Sequence, residues 1–244
     1  MSGQAVFVDQ KLPLTAFYLT GGASLNRFNI ALDGPAGAGK STVARLVAKA
    51  LGFVYVDTGA MYRAVTWHVL KLNLHLEDVD KVIAVAREME IVLKPGENGQ
   101  LVIVDGEDVT EYIRSSEINQ NVSYIARISE IRELLVAKQK HLAADKGVVM
   151  DGRDIGTKVL PDAEVKVYLT ANARRRAERR FSELGDPQIT VDDLEAQITN
   201  RDILDKEREV SPLKQADDAI LLDTTEMSLE EVVDAVLALC RSHQ

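Results

Sequence analysis

Gly34-Pro35-Ala36-Gly37-Ala38-Gly39-Lys40-Ser41 follows the largely apolar run 28–32 and precedes an amphipathic run that begins Thr42-Val43-Ala44. The order is strand, glycine loop, helix. Glycines let successive backbone N–H groups turn inward on a polyphosphate, and the helix N-terminus adds its partial positive charge. Lys40 would reach the outer phosphates and Ser41 would ligate Mg²⁺. Residues Gly34 to Thr42 are therefore the expected cradle for the phosphates of a nucleoside triphosphate.

The loop sets the reading of the rest. A strand at 28–33 leads through it into a helix that Gly52 ends at its C-cap, and a second strand, 53–56, precedes a helix over 60–72. Repeated strand and helix imply a parallel sheet with right-handed crossovers. The period then changes. A helix at 77–89 is followed by a hairpin, 90–93 with 101–104, around Lys94-Pro95-Gly96-Glu97-Asn98-Gly99. Antiparallel pairing marks residues 78–145 as an inserted subdomain, with helices at 111–124 and 129–144, the latter capped by Ser129. Buried strands return at 147–150, 165–169 and 219–222, separated by helices at 173–184 and 191–209. Ser228 is the expected N-cap of a last helix.

Predicted as a whole, the fold is α/β: a P-loop NTPase core with a five-stranded parallel sheet flanked by helices, residues 28–77 and 146–244. An inserted subdomain with a small antiparallel sheet and a short helical lid at about 176–193 complete it. Residues 1–27 read as a flexible N-terminal extension.

Composition narrows the classes. With 244 residues, 46% of them hydrophobic, the chain can bury one substantial core. A net charge of −9 argues against a nucleic-acid binder, while local arginine patches suit small anionic ligands. One cysteine excludes an intrachain disulfide framework, and no apolar run approaches the roughly 20 residues of a membrane span. A cytoplasmic monomer is expected.

Several stretches could carry chemistry. Asp57-Thr58-Gly59-Ala60-Met61-Tyr62-Arg63 lies at the carboxyl end of the second strand, where open α/β sheets bind ligands. Thr58 and Arg63 could meet an acceptor phosphate there, or serve only as a helix cap and a solvated charge. Val148-Val149-Met150-Asp151-Gly152-Arg153-Asp154 ends an apolar strand in an aspartate suited to a water-mediated contact with Mg²⁺ beside Ser41. Arg153 could hold phosphate while Asp154 reads a base. A carboxylate with arginine and hydroxyl partners suits an exocyclic amine flanked by acceptors, as on cytosine, and Asp154, Arg132 and Ser123 are the right types. An ordinary strand-end ion pair fits the same residues.

Arg176 and Arg180 share a helix face, and Arg201, Asp205 and Arg208 repeat the spacing on the next helix, where Asp205 could pair with either arginine. Such faces are often merely solvated. Facing one another around Gly185-Asp186-Pro187, they suit a lid that excludes water. No guanine-reading Asn-Lys-x-Asp motif occurs. No catalytic base is evident either, and a monophosphate acceptor needs none, because its oxygens are already ionised.

Together these motifs, with Asp151-Gly152-Arg153-Asp154-Ile155-Gly156 and Arg201-Asp202-x-x-Asp205-x-x-Arg208, resemble the bacterial cytidylate kinase family of the nucleoside monophosphate kinase superfamily. The resemblance runs from about residue 28 to the C-terminus. It implies transfer of the γ-phosphoryl group of ATP to CMP or dCMP, with Mg²⁺. Residues matching Thr58, Arg63, Ser123, Arg132, Arg153, Asp154, Arg201, Asp205 and Arg208 would surround the monophosphate. Of these, Ser123, Arg132 and Asp154 would face the base, and Arg63, Arg153 and Arg208 the phosphate. Lys40, Arg153, Arg180 and Arg208 would supply charge to the transferring group, and Arg176 and Arg180 resemble lid arginines on the ATP side. Thr58 departs from the family's frequent serine. The rivals are a UMP or AMP kinase on the same scaffold and a non-catalytic ATP-binding module.

Overall fold

A computed structural model of the chain describes residues 26–96, 99–184 and 189–243. The expected extension therefore lies almost wholly outside the described residues, as do the hairpin tip at 97–98 and the Gly-Asp-Pro loop.

The parallel sheet forms from β1 (Ile30–Asp33), β2 (Val54–Asp57), β6 (Val148–Gly152), β7 (Val165–Thr170) and β8 (Ile220–Asp223), in the order β2-β6-β1-β7-β8. Strand register gathers acidic side chains. Asp33 lies opposite Gly152, and Asp57 opposite Asp151, so three aspartates stand together at one carboxyl edge. β1 and β6 are buried throughout, because helices cover both faces of a parallel sheet. β8 is not doubly buried as expected: it is an edge strand, and Ile220 and Leu221 are exposed.

α1 (Lys40–Leu51) begins at the loop, with Gly39 in the left-handed region and no side-chain cap. Gly34 has φ 146°, and a Cβ there would lie 1.9 Å from the carbonyl oxygen of Leu169, so no other residue fits. α8 (Leu229–Cys240) starts with a Ser228–Glu231 capping box and packs against α1 through Val232, Val236 and Cys240. Cys240 is fully buried there, and burial pushes its thiol up to about 11.

Between α2 (Thr58–Lys71) and β6 run α3 (Val79–Glu88), the antiparallel sheet β3 (Ile91–Gly96), β4 (Gly99–Val104) and β5 (Glu107–Asp108), then α4 (Ser116–Ile125) and α5 (Ser129–Leu142). Met61, Val65 and Val69 of α2 share one apolar cluster with Val82, Val102, Ile113 and Ile131, so packing joins α2 to this inserted piece.

Local differences from the sequence reading have local causes. α2 begins two residues early because Asp57 caps it, accepting from the Ala60 N–H at 2.8 Å. The single helix expected over 111–124 is broken, because the Ser115 side chain caps α4 and leaves a 3₁₀ turn, Tyr112–Arg114, ahead of it. Ser129 is not the cap of α5. Ile128 occupies that position, and no side chain caps the helix. β5 was not expected, nor was a π-helical turn at Ile155–Val159. α6 (Ala173–Leu184) and α7 (Val191–Lys206) pack through Ala177, Leu194 and Ile198, and α7 ends three residues before the expected 209.

Candidate active site

The donor side is built where β1 turns into α1. Lys40 is buried and its Nζ donates to the Pro35 carbonyl at 2.7 Å, which folds the side chain back over the loop. Burial, then repulsion from Arg153, lowers its pKa to about 7. Ser41 Oγ donates to Asp151 Oδ2 at 2.9 Å, and Tyr55 Oη donates to Asp151 Oδ1 at 3.0 Å. Burial and the neighbouring Asp57 raise Asp151 to about 6. A buried carboxylate short of positive charge beside a serine hydroxyl fits a divalent cation of the Mg²⁺ type.

The second strand end is organised by Asp57. Arg63 donates to its Oδ2 at 2.8 Å and Arg114 at 3.3 Å. Burial opposes ionisation of this carboxyl, but Arg63, then Arg114, outweigh it and hold it below the usual range. Thr58 neither caps α2 nor is solvated. Its Oγ1 donates to the Asp151 carbonyl at 2.7 Å, tying β2 to β6.

Beyond β6 most of the residues expected on the acceptor side come together. Arg132 donates to Asp154 Oδ2 at 2.5 Å; both are buried, and the guanidinium lies 5.4 Å from the Tyr62 ring centroid. Ser123 is buried on α4. Arg153 Nε donates to Asp205 Oδ2 at 2.8 Å. Asp205 thus pairs with a residue of another element, not with Arg201 or Arg208 on its own stretch as its spacing suggested. Burial opposes ionisation of Asp205, but Arg153 and then Arg201 hold it low. Arg208 donates to the Ser211 carbonyl at 2.6 Å.

Positive charge is crowded here. Burial, then Arg153, lowers Arg201 to about 10; burial, then Arg132, lowers Arg208. Among the described residues the buried Nε donors of Arg63, Arg132, Arg201 and Arg208 have no partner. Guanidiniums that repel one another and retain unused donors suit a multiply charged anion.

The two lid candidates separate. Arg176 is buried and committed on three sides, to the carbonyls of Ala171 and Ala36 and to Asp202 at 2.6 Å. It braces the phosphate loop from α6. Arg180 is partly exposed and pairs with Glu183 on its own helix. The sequence reading missed Asp33, Tyr55, Asp57, Arg114 and Asp202. Each is a polar residue with at least one partner distant in sequence, which strand register or helix packing brings to it; Asp57 alone also has a local one, Arg63.

A parallel sheet with a glycine loop at its centre, facing a second cluster of cations across the same edge, defines a P-loop phosphotransferase with separate donor and acceptor halves. A family model described as cytidylate kinase matches residues 30–242, and the chain belongs to the cytidylate kinase family. Its relatives include the cytidylate kinase of Geobacillus sp. (strain WCH70), 52% identical over 215 residues, which cover 87% of this chain and 96% of that protein. The cytidylate kinase of Caldicellulosiruptor saccharolyticus is 50% identical over 217 residues, 88% of this chain and 96% of that one. Among solved structures, an uncharacterised protein from Eubacterium ventriosum shares the fold, with a TM-score of 0.51 at 11% identity, covering 88% of this chain and 99% of that one.

Proposed function

We propose that the chain transfers the γ-phosphoryl group of ATP to CMP or dCMP, giving ADP and CDP or dCDP. The observation that carries this reading is a cluster of mutually repelling guanidiniums, Arg63, Arg132, Arg153, Arg201 and Arg208, four of them with an unpartnered Nε among the described residues, in which Arg132 pairs with Asp154.

Division of labour follows from position. Lys40 and the backbone of Gly34 to Ser41, with Thr42, bind the ATP phosphates. Ser41, with Asp151 acting through water, would hold Mg²⁺, which when bound neutralises charge on the β- and γ-phosphate oxygens. Arg63, Arg153 and Arg208 hold the acceptor phosphate, while Arg201 and Asp205 orient Arg153 and the nucleotide. Asp154 accepts from the cytosine amine, with Arg132 and Ser123 completing the base site. Residues 78–145 serve as the monophosphate-binding subdomain and about 176–193 as the lid, with Arg180 reaching the donor phosphates on closure.

No proton need be removed from the acceptor, so alignment and charge neutralisation supply the rate. Among the described residues no helix is long and apolar enough to cross a membrane. A panel of CMP, dCMP, UMP and AMP in an ADP-release assay tests the reading: CMP or dCMP should turn over fastest, and faster UMP or AMP turnover would overturn it.

A further inference from the structure

Asp33 is the last residue of β1 and immediately precedes Gly34. Its Oδ1 accepts from the Ile155 N–H at 2.8 Å, and its Oδ2 from the Gly156 N–H at 2.7 Å. Those are the first two residues of the π-helical turn Ile155–Val159, whose own cap position, Asp154, supplies no side-chain cap. The turn is capped from another strand. Asp154 is left free to engage Arg132 instead.

The link joins two functional halves. One residue after Asp33 the donor loop begins, and immediately before Ile155 stand Arg153 and Asp154. Both ends are tightly packed. A Cβ on Gly156 would lie 3.4 Å from Asp33 Oδ2 and 3.3 Å from Lys166 Cδ, and Gly34 abuts the Leu169 carbonyl. Two parallel bonds to consecutive N–H groups fix orientation as well as distance, and the surrounding contacts leave little slack to absorb a shift.

We propose that Asp33 is a positioning residue for base recognition: by capping the Ile155–Val159 turn it sets where Arg153 and Asp154 stand relative to the phosphate loop. Discrimination for cytosine then depends on a carboxylate that touches no substrate. The inference rests on the cytidylate reading, since it concerns the same acceptor site. A base-reading carboxylate displaced by a fraction of an ångström loses its hydrogen bond to the cytosine amine, while the arginines, which act at longer range, still attract the phosphate.

The experiment uses two variants that loosen the same joint in different ways. Asp33→Asn turns one acceptor into an amine facing an N–H, and Gly156→Ala inserts a methyl while leaving the carboxylate in place. For each, kcat/KM is measured with CMP and with UMP at a temperature below its unfolding transition, and the Kd of Mg·ATP is measured by calorimetry without monophosphate. The expected result is a CMP-over-UMP ratio reduced at least about tenfold, with the ATP Kd within about threefold of wild type. A ratio unchanged in either folded variant, or an ATP affinity that falls as far as the ratio, would overturn the positioning role. Should Asp33→Asn fail to fold, Gly156→Ala carries the same comparison. Failure of the wild type to prefer CMP would instead overturn the cytidylate reading.

Discussion

Arg153 Nε donates to Asp205 Oδ2 at 2.8 Å, joining the turn after β6 to α7 across 52 residues. The bond fixes the guanidinium plane, a second from Nη1 to the Gly152 carbonyl at 3.2 Å steadies it, and Nη2 is left to meet an anion. Arg153→Ala should lower kcat with CMP by about 10² to 10³, as expected for removing a preorganised charge from the transferring group. Asp205→Asn keeps an acceptor for Arg153 and should cost less. Single-turnover rates with CMP check both, and equal losses would show that Asp205 does more than orient.

Asp154 and Arg132 form a buried pair, so neutralising one partner has a defined consequence. Asp154→Asn retains an acceptor oxygen but removes the charge that Arg132 faces. It should narrow the preference for CMP over UMP by about tenfold or more, consistent with about 1–3 kcal/mol for a base contact, while phosphate affinity changes less. Inorganic phosphate competition against CMP separates the two effects. A uniform loss across monophosphates would place Asp154 among phosphate ligands instead.

The donor side has a narrow range of useful protonation in the free enzyme. Lys40 lies at about 7 and Asp151 at about 6, so the ammonium is lost as pH rises through about 7 and the carboxylate is lost as pH falls through about 6. On the proposed assignment, in which Lys40 meets the ATP phosphates and Asp151 the Mg²⁺, ATP capture needs both charges. The pH profile of kcat/KM for ATP should therefore be bell-shaped with limbs near those values, belonging to the coupled pair. The kcat profile should extend further to the basic side, because bound triphosphate keeps Lys40 protonated. Lys40→Ala should abolish turnover.

Thr58 offers a stability test that is separate from its expected place beside the monophosphate. Its hydroxyl bonds the Asp151 carbonyl inside the protein, and Thr58→Val keeps the shape while leaving that acceptor unmet. A loss of about 1–2 kcal/mol is expected, seen as a lower denaturant midpoint. Thr58→Ser retains the bond and should fall well short of that loss.

Legibility in the sequence depends on range. The phosphate loop announces β1 and α1 because its glycines answer local backbone demands, and the apolar run at 148–150 and the mainly apolar stretch at 165–169, interrupted by Lys166, announce buried parallel strands. Arg63, Arg153 and Asp154 are recognisable as types within motifs, and Arg132 only as a suitable type near a helix start. Their partners are not. Asp57 with Arg114, Asp205 with Arg153 and Asp33 with the turn after Asp154 are joined by strand register and helix packing, which no local spacing encodes. The i,i+4 relation of Arg176 to Arg180 puts both on one face and suggests a pair of lid arginines. The burial of Arg176 beneath the loop depends on α7, which supplies Asp202 from the opposite side. The Ser129 cap failed for a simpler reason: a serine preceding a periodic run fits either the cap or the first helical position.

Cys240 gives the molecule a gauge of its own motion. As the chain's sole thiol, with Sγ 3.2 Å from the Val236 carbonyl and no exposed surface, it can react with a thiol reagent only when α8 loosens from the core it shares with α1. Because α1 carries the phosphate loop, anything that secures the loop also guards the thiol. The alkylation rate, read with and without nucleotide, thus meters how often the donor half comes apart and how firmly a ligand closes it.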